Sequence, residues 1–245
     1  MIIKFIRFLK FISTPGAIIA YLNWSKFSLA SYQIIARAKA KGVTPQAVID
    51  VGANVGQFSV AASKLFELDN IFPIEPDPRV AKKLSKNVGP KITRNVHICA
   101  IGAAVGEVDF HVNADSQVSS MLPLGVDRIK GYPASRIIEK ITVPLTTLDA
   151  LFANEALPKP ILLKIDVQGF EDQVILGAKG LLTKVKWVLI EVSFARLYEG
   201  EFGFNEINEL MGLNGFRFIA PLNFHVSPVT REIIEMDALF ESIYQ

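Results

Sequence analysis

The chain has 245 residues, with 26 Lys and Arg against 24 Asp and Glu, and a formal net charge of +2. A charge this close to neutral creates no strong field that would hold nucleic acid, and we expect no nucleic-acid partner. Half of the residues are hydrophobic and a fifth are charged, which excludes global disorder and favours a sheet covered by helices on both faces.

The N-terminal segment differs in composition from the rest of the chain. We expect a helical, basic amphipathic appendage at residues 1–45 and one catalytic domain at residues 46–245. Residues 1–12 are apolar apart from three regularly spaced cations, Lys4, Arg7 and Lys10. Such a segment either packs on the catalytic domain or a partner subunit, lies in a membrane interface, or serves in targeting. None of its apolar runs is long enough to span a bilayer.

The cysteine content bears on location. Cys99 is the only cysteine, so it can form no internal disulfide, and its place in an apolar run favours a packing role. We therefore expect a cytoplasmic protein, with peripheral membrane contact through residues 1–12 left open. The sequence also leaves open whether the chain forms a homo-oligomer.

Strand-like and helix-like segments alternate from residue 46 onward. Strands are predicted at residues 47–52, 71–75, 96–101, 161–167, 187–192 and 216–220. Helices are predicted at residues 57–66, 78–88, 171–182 and 204–213. A hairpin or tight turn is expected in residues 102–113, a flexible loop or lid in residues 114–140, and a last apolar segment in residues 233–243. This alternation predicts an α/β fold with a mostly parallel, doubly wound sheet and right-handed crossovers.

Four carboxylates lie near the carboxyl ends of predicted strands, where such sheets bind ligands. They are Asp50, Glu75, Asp166 and Glu191. The first opens Asp50-Val51-Gly52-Ala53-Asn54-Val55-Gly56, whose glycines let the backbone approach a ligand closely. This spacing is not the GxGxxG of a dinucleotide fingerprint.

The second carboxylate indicates the kind of ligand. Glu75 follows Gly52 by 23 residues and closes the second strand, where it can accept hydrogen bonds from both ribose hydroxyls of an adenosine ligand. The alternative is that Asp50 is a turn or cap residue and Glu75 a solvated charge. Because the two residues occur together in a strand-loop-helix context, the spacing predicts an adenosine-containing cofactor.

Several segments together resemble the FkbM-type methyltransferases. They are Val48-Ile49-Asp50-Val51-Gly52-Ala53-Asn54-Val55-Gly56, Ile74-Glu75-Pro76-Asp77-Pro78 and Lys164-Ile165-Asp166-Val167-Gln168-Gly169-Phe170-Glu171, with support from 143–149, 190–192, 197–200 and 236–240. The resemblance covers residues 46–243. It departs from the family at Gln168, where the family often carries Glu.

The resemblance implies a Rossmann-like class I methyltransferase fold of about seven strands with an antiparallel strand at the sheet edge. It further implies S-adenosylmethionine as cofactor and O-methylation of a hydroxyl on a sugar, a glycan or a related metabolite. The implied cofactor contacts are Asp50, Gly52, Ala53, Asn54 and Gly56 at the methionine part, Glu75 at the ribose, Ala100 and Ile101 at the adenine, and Asp166 nearest the transferring methyl. A sulfonium cofactor has no pyrophosphate, so its site needs no anion cradle. Acidic groups near its cationic sulfur are electrostatically favourable.

A sugar hydroxyl is a weak nucleophile and benefits from a base that takes its proton. Asp166 is the first candidate, and Glu191 or Glu171 the next. Equally, Asp166 could instead orient its loop or bind the methionine amine, since geometry decides between the two roles.

Other polar residues carry weaker signals. His97, His111 and His225 are isolated, and no spacing indicates a metal cluster, although Asp166 with Glu191 could hold a divalent cation. In the expected lid, a further set could select the acceptor or be merely solvated: Ser119, Ser120, Arg128, Lys130 and Arg136.

Two other functions compete with a methyltransferase. A nicotinamide-dependent oxidoreductase uses the same strand, glycine and acid arrangement, but the third glycine of its fingerprint is missing here. A scaffold subunit that keeps the pocket without catalysis is the second alternative, and retention of every strand-end acid argues against it.

Overall fold

The structure is a computed structural model that describes residues 9–126, 128, 136–227 and 230–244. Two helices whose full length lies within the described residues precede the first strand. Helix α1 spans Ala17–Asn23 and α2 spans Leu29–Ala40, with the Ser28 hydroxyl capping the start of α2. The buried face of α2 packs into the same apolar core as the sheet and the next helix.

The first βαβ unit follows the prediction closely. Strand β1 (Ala47–Val51), α3 (Gln57–Phe66), β2 (Ile71–Ile74) and α4 (Pro78–Val88) are confirmed, and a short α5 (Pro90–Thr93) follows. Asp77 caps α4 by accepting a hydrogen bond from the Arg79 N–H at 2.8 Å.

Residues 96–146 differ from the prediction. They form a second, three-stranded sheet of β3 (Ala100–Ile101), β4 (Gly106–Asn113) and β5 (Ile137–Thr146), in the order β3-β5-β4. The hairpin expected at residues 102–113 is therefore wrong, because β5 lies between β3 and β4. The expected lid is also shorter than predicted, since its residues from Ile137 onward belong to β5, while positions 127 and 129–135 lie outside the described residues.

The second half supplies the remaining elements. These are α6 (Leu148–Leu151), β6 (Ile161–Ile165), α7 (Glu171–Leu176), α8 (Lys179–Leu182), β7 (Val185–Ser193), α9 (Phe204–Leu213), β8 (Phe216–Val226) and β9 (Ile233–Ser242). The single helix predicted at residues 171–182 is thus two helices. The break comes at Gly177, where a Cβ would lie 2.0 Å from the Gly102 carbonyl oxygen.

The main sheet confirms the α/β, Rossmann-like prediction. Its order is β2-β1-β6-β7-β9-β8, with parallel pairing from β2 to β7. It contains six strands rather than about seven, because the predicted strand at 96–101 joins it only by a bridge from His97 to Ile74. The antiparallel strand is β9, which lies between β7 and β8 rather than at the edge.

The topology positions the site. The carboxyl ends of β1, β2, β6 and β7 meet at one edge of the sheet, and β9 begins at that edge because it runs the opposite way. Residues 1–8 of the basic segment lie outside the described residues. Within the described ranges, no helix combines the length and apolar character needed to cross a membrane.

Candidate active site

A glycine turn follows β1 and leads into α3. Gly52 has a φ of 80°, and its N–H donates to the Ile74 carbonyl at 3.0 Å. A Cβ on Gly52 would lie 1.8 Å from the Asp166 carbonyl oxygen, so only glycine lets the turn after β1 approach the end of β6 this closely. Gly56, with a φ of 91°, begins α3 against Leu84 of α4.

Glu75 lies beside this turn at the end of β2. Its two carboxylate oxygens accept hydrogen bonds from the backbone N–H groups of Asn54 and Asp77, both at 3.0 Å. The side chain is buried, and burial raises the pKa of Glu75 to about 7, although the two N–H donors act in the opposite direction. The carboxyl group is therefore fixed in position by backbone donors.

A buried lysine links β1 to β6. Lys164 Nζ lies 3.0 Å from Asp166 Oδ2 and 3.5 Å from Asp50 Oδ1. Burial lowers the pKa of Lys164, but the two carboxylates raise it more, so the ammonium stays charged. Asp50 is fully buried and accepts a hydrogen bond from Ser59 through Oδ2 at 2.6 Å. In the described part of the chain its Oδ1 has no hydrogen-bond donor.

Gln168 joins two carboxylates that the sequence placed on separate strands. Its amide donates to Asp166 Oδ1 at 2.8 Å and to Glu191 Oε2, and it accepts a hydrogen bond from the Tyr198 hydroxyl at 2.7 Å. An uncharged amide can donate to both acids at once, whereas an ionised Glu here would add a third negative charge. Gln168 therefore suits its two acidic neighbours, Asp166 and Glu191, better than the Glu that the family often carries at this position.

The two linked acids differ in protonation. Burial raises the pKa of Asp166, but Lys164 and the Gln168 amide lower it more, so the pKa of Asp166 lies below its usual range. Burial, followed by the charges of Asp166 and Glu235, raises the pKa of Glu191 well above its ordinary value. Asp166 is therefore held as a carboxylate, while Glu191 binds a proton more tightly.

Glu171 lies outside the cavity. Its carboxylate accepts hydrogen bonds from the N–H groups of Val167 and Gly169 at 3.0–3.2 Å. Burial raises the pKa of Glu171 to about 8. The carboxylate holds the turn that carries Gln168, and because the side chain does not line the cavity it has no direct contact with a ligand there.

Further polar groups come from β8, β9 and the lid. Sequence reasoning named Arg128 and His225 but missed Glu235 and Asp237. Glu235 and Asp237 start β9, and both line the cavity. Arg128 NH1 lies 3.7 Å from Glu235 Oε1, and His225 Nε2 lies 3.9 Å from Glu191 Oε1. The register pairs His225 with Glu235 across β8 and β9. Glu235 and Asp237 gave no signal in the sequence. Lys164 of β6, which was also missed, could have been found as a cation inside an apolar run.

One cavity of about 630 Å³ is lined by most of these groups. We call one part the glycine-turn end, and it is lined by Gly52, Ala53, Asn54, Glu75, Ala100 and Ile101. We call the other part the acidic end, and it is lined by Asp166, Glu191, Glu235 and Asp237, with Lys164, Arg128 and His225. Of the catalytic and cofactor-binding residues predicted from the sequence, Asp50, Gly56 and Glu171 do not line the cavity.

The lid closes one side of the cavity. Residues 115–119 line it, and the Ser116 hydroxyl donates to Asn54 Oδ1 at 3.2 Å. Ser119 and Arg128 line the cavity, whereas Ser120 donates to the Gln168 carbonyl at 2.6 Å and supports the loop. Arg136 is exposed, and Lys130 lies outside the described residues.

Metal-ligand geometry is a separate question. Across residues 9–126, 128, 136–227 and 230–244, no group of three or more His, Cys, Asp or Glu side chains is arranged to hold a metal ion. His97 and His111 do not line the cavity, and His225 does.

Comparison with known proteins identifies the family. The family model for the methyltransferase FkbM domain matches residues 50–218. The chain belongs to the FkbM methyltransferase family. It is accordingly an S-adenosylmethionine-dependent methyltransferase, which decides against the oxidoreductase and the non-catalytic scaffold.

Two curated relatives of this FkbM methyltransferase are informative. The 2-O-methyltransferase NoeI of Sinorhizobium fredii is 31% identical over 170 residues, which is 67% of this chain and 70% of NoeI. The hexuronic acid methyltransferase AglP of Haloferax volcanii is 24% identical over 149 residues, 58% of this chain and 54% of AglP. Among solved structures, the methyltransferase FkbM of Methylobacillus flagellatus is 14% identical with a TM-score of 0.48, covering 80% of this chain and 43% of that one.

Proposed function

We propose that this enzyme transfers a methyl group to a hydroxyl of a sugar, glycan or related metabolite, and that the acidic end of the cavity binds this acceptor. The observation that carries the proposal is one cavity in which a glycine turn and a strand-end glutamate adjoin four carboxylates. Carboxylate oxygens accept hydrogen bonds from sugar hydroxyls. The names of two relatives, a 2-O-methyltransferase and a hexuronic acid methyltransferase, support the same class of acceptor.

S-adenosylmethionine fits the glycine-turn end. Gly52, Ala53 and Asn54 line this end of the cavity, and the Glu75 carboxylate lies beside them. We propose that Glu75 accepts the ribose hydroxyls, that Ala100 and Ile101 contact the adenine, and that the backbone of Gly52, Ala53 and Asn54 contacts the methionine part. When bound, the cofactor supplies an electrophilic methyl carbon on a sulfonium.

Asp50 and Gly56 act indirectly in this proposal. Asp50 forms an ion pair with Lys164, which also pairs with Asp166. Gly56 begins α3 with a positive φ of 91°. These residues position the turn and the end of β6 rather than touching the cofactor.

The acid that takes the acceptor's proton is Glu191 in this proposal. Asp166 was the first candidate, but Lys164 and Gln168 engage its two oxygens, and its lowered pKa makes it a weak base. Glu191 lines the cavity and has a raised pKa, so its ionised form is the stronger base. Asp166 then positions the cofactor and the Gln168 amide.

Alignment of the acceptor with the methyl group supplies much of the rate enhancement. Holding an acceptor oxygen in line with a methyl carbon lowers the barrier by roughly 7–11 kcal/mol relative to free reactants. The lid residues 115–119 exclude water from the cavity, which protects the same alignment.

Two measurements test the proposal. Isothermal titration of S-adenosylmethionine and S-adenosylhomocysteine compares the wild type with Glu75→Gln and with Glu107→Gln, an exposed glutamate of β4. We expect Glu75→Gln to weaken binding roughly 10- to 100-fold, as loss of charge-assisted hydrogen bonds does, and Glu107→Gln to leave it unchanged. Equal affinities in all three proteins would refute the role of Glu75.

The acceptor is tested separately with a tritiated methyl donor and a panel of methyl glycosides and hexuronic acids. Product NMR distinguishes a methyl ether from a methyl ester. Ether formation supports transfer to a hydroxyl. Formation of esters alone, or no product from an enzyme that binds the cofactor, would contradict it.

A further inference from the structure

An exposed apolar surface lies beside the catalytic domain, on residues 9–22. Helix α1 buries only Ala17 and Ala20. Its other face is open to solvent, with exposed fractions of 69% for Ile19, 62% for Tyr21 and 73% for Leu22. Leu9, Ile12 and Ile18 extend the exposed surface. We call these six residues the N-terminal patch.

The N-terminal patch is anchored to the rest of the protein. An aromatic cluster connects α1 to α2 through ring contacts with centroids 5.6–6.2 Å apart, and it consists of Phe11, Tyr21, Trp24, Phe27 and Tyr32. The Tyr32 hydroxyl also donates to the Pro15 carbonyl at 2.8 Å. A surface held in this way keeps its apolar side chains pointing outward instead of collapsing onto the domain.

Charge is distributed unevenly along the chain. Seven of the 26 Lys and Arg residues, and none of the 24 Asp and Glu residues, fall in the first 49 positions. The remainder carries 19 cations and 24 anions and is net acidic. Lys10 is an exposed member of the basic set next to the patch, and Lys26 follows α1. The exposed apolar surface is thus placed in the one strongly basic part of the protein.

We propose that the N-terminal patch docks this enzyme onto an anionic lipid bilayer. Aliphatic and aromatic side chains enter the region between headgroups and acyl chains, while the surrounding Lys and Arg side chains pair with anionic headgroups. A second copy of the chain is a poorer occupant, because pairing two such faces would bring like charges together. The family match begins at residue 50, so the patch lies outside the segment that the family model matches.

The patch adjoins the active site. Ser28, Ala30, Ser31 and Ile34 at the start of α2 line the same cavity as the glycine turn. A bilayer bound at the patch therefore lies near one wall of that cavity. The aromatic cluster connects the patch on α1 to this wall, which is the start of α2.

Vesicle cosedimentation of the full chain tests this inference. The probes are phosphatidylcholine vesicles with and without phosphatidylglycerol, and the variant is Ile19→Ser with Leu22→Ser. Both side chains are mainly exposed, so the variant should keep its fold, which an unchanged melting temperature and S-adenosylmethionine affinity would verify. The matched control replaces two apolar residues that are equally exposed elsewhere, Leu213→Ser with Val105→Ser, at 80% and 71% exposure.

We expect the wild type to bind the anionic vesicles and to lose binding as salt increases. The patch variant should bind at least about tenfold more weakly and the control like the wild type. A charge variant, Lys10→Glu with Lys26→Glu, should also weaken binding, whereas Lys184→Glu should not.

Three results would overturn the inference. One is a wild type that ignores anionic vesicles or binds neutral ones equally well. Another is a control that loses as much binding as the patch variant. The third is a wild-type dimer, seen by sedimentation equilibrium, that the patch variant dissociates while neither protein binds lipid, because the patch would then join two copies. None of these results depends on the identity of the methyl acceptor.

Discussion

The two ends of the cavity are built from different parts of the polypeptide. The glycine-turn end is built around the backbone of residues 52–54, and the Glu75 carboxylate is fixed there by backbone donors. The acidic end consists of side chains from β6, β7, β8, β9 and the lid that hold one another by charge and amide contacts. The first end should therefore be sensitive to the path of the chain, and the second to the removal or addition of a charge.

The largest effect is expected at the acidic end. Glu191→Gln keeps the shape of the side chain and removes the proposed proton acceptor, so kcat should fall about 10²- to 10⁴-fold with little change in cofactor affinity. In the wild type, kcat should fall as pH decreases through the raised pKa of Glu191, because the protonated acid cannot take a proton. Steady-state kinetics across pH measures both. Glu199→Gln, exposed and outside the cavity, is the control, and an unchanged kcat in Glu191→Gln would exclude the assignment.

Lys164 connects the two ends of the cavity, and its removal should lower the free energy of unfolding of the protein. Lys164→Met leaves Asp50 and Asp166 buried near each other without their shared cation. Breaking a buried ion pair from one side costs about 3–5 kcal/mol of the free energy of unfolding. Urea unfolding measures this, with the exposed Lys184→Met as control. A loss below about 1 kcal/mol would mean that water or rearrangement replaces the ammonium.

Gly52→Ala tests the path of the chain at the glycine-turn end. The new Cβ would collide with the Asp166 carbonyl, and the alanine would have to adopt a φ near +80°. The left-handed conformation alone costs about 1–3 kcal/mol, and the collision adds to it. Gly42→Ala separates the two causes, since Gly42 has a φ of +85° and no atom near its would-be Cβ. Equal destabilisation of both variants would show that the approach to β6 is not tight.

The smallest effect is the pH dependence of cofactor binding. The pKa of Glu75 is raised to about 7 without cofactor, and the proposed ribose contact needs the ionised form. Affinity for S-adenosylhomocysteine should be constant above pH 7 and fall by up to about tenfold per pH unit below it, with protons released on binding. Titration in buffers of different ionisation enthalpy counts those protons. Glu75→Gln should bind weakly at every pH, and a pH-dependent variant would point to another group.

The glycine-turn end was largely visible in the sequence, for a physical reason. Gly52, Glu75 and their strands lie in one βαβ unit, so short-range spacing reports their contact. The acidic end was visible only in part. Asp166 and Glu191 close predicted strands, whereas Glu235 and Asp237 reach this end through a strand that pairs antiparallel between β7 and β8. Pairing partners are set by packing across the sheet, which local patterns do not encode. The same limit explains the missed sheet of β3, β4 and β5.

Lys164 and Glu171 show why the contacts of a single side chain could not be predicted from the sequence. A lysine in a buried strand fits the pattern of a central strand with one polar interruption, and its two acidic partners become apparent only when β1 and β6 pair. Glu171 looked like a catalytic acid because it follows Asp166 closely, yet the turn between them directs its carboxylate at backbone N–H groups. Residue type and spacing could not determine that direction.

The excess of carboxylates at the acidic end also bears on how the enzyme exchanges spent cofactor for fresh. S-adenosylmethionine carries a positive sulfonium, and S-adenosylhomocysteine carries an uncharged thioether in its place. At about 4 Å, one unit charge pair near a protein surface is worth roughly 1 to 4 kcal/mol. With the ionised Asp166 beside the proposed position of the transferring methyl, methyl transfer itself removes part of the attraction that retained the cofactor. The charge that helps to recruit the donor thus disappears with the reaction, which limits product inhibition.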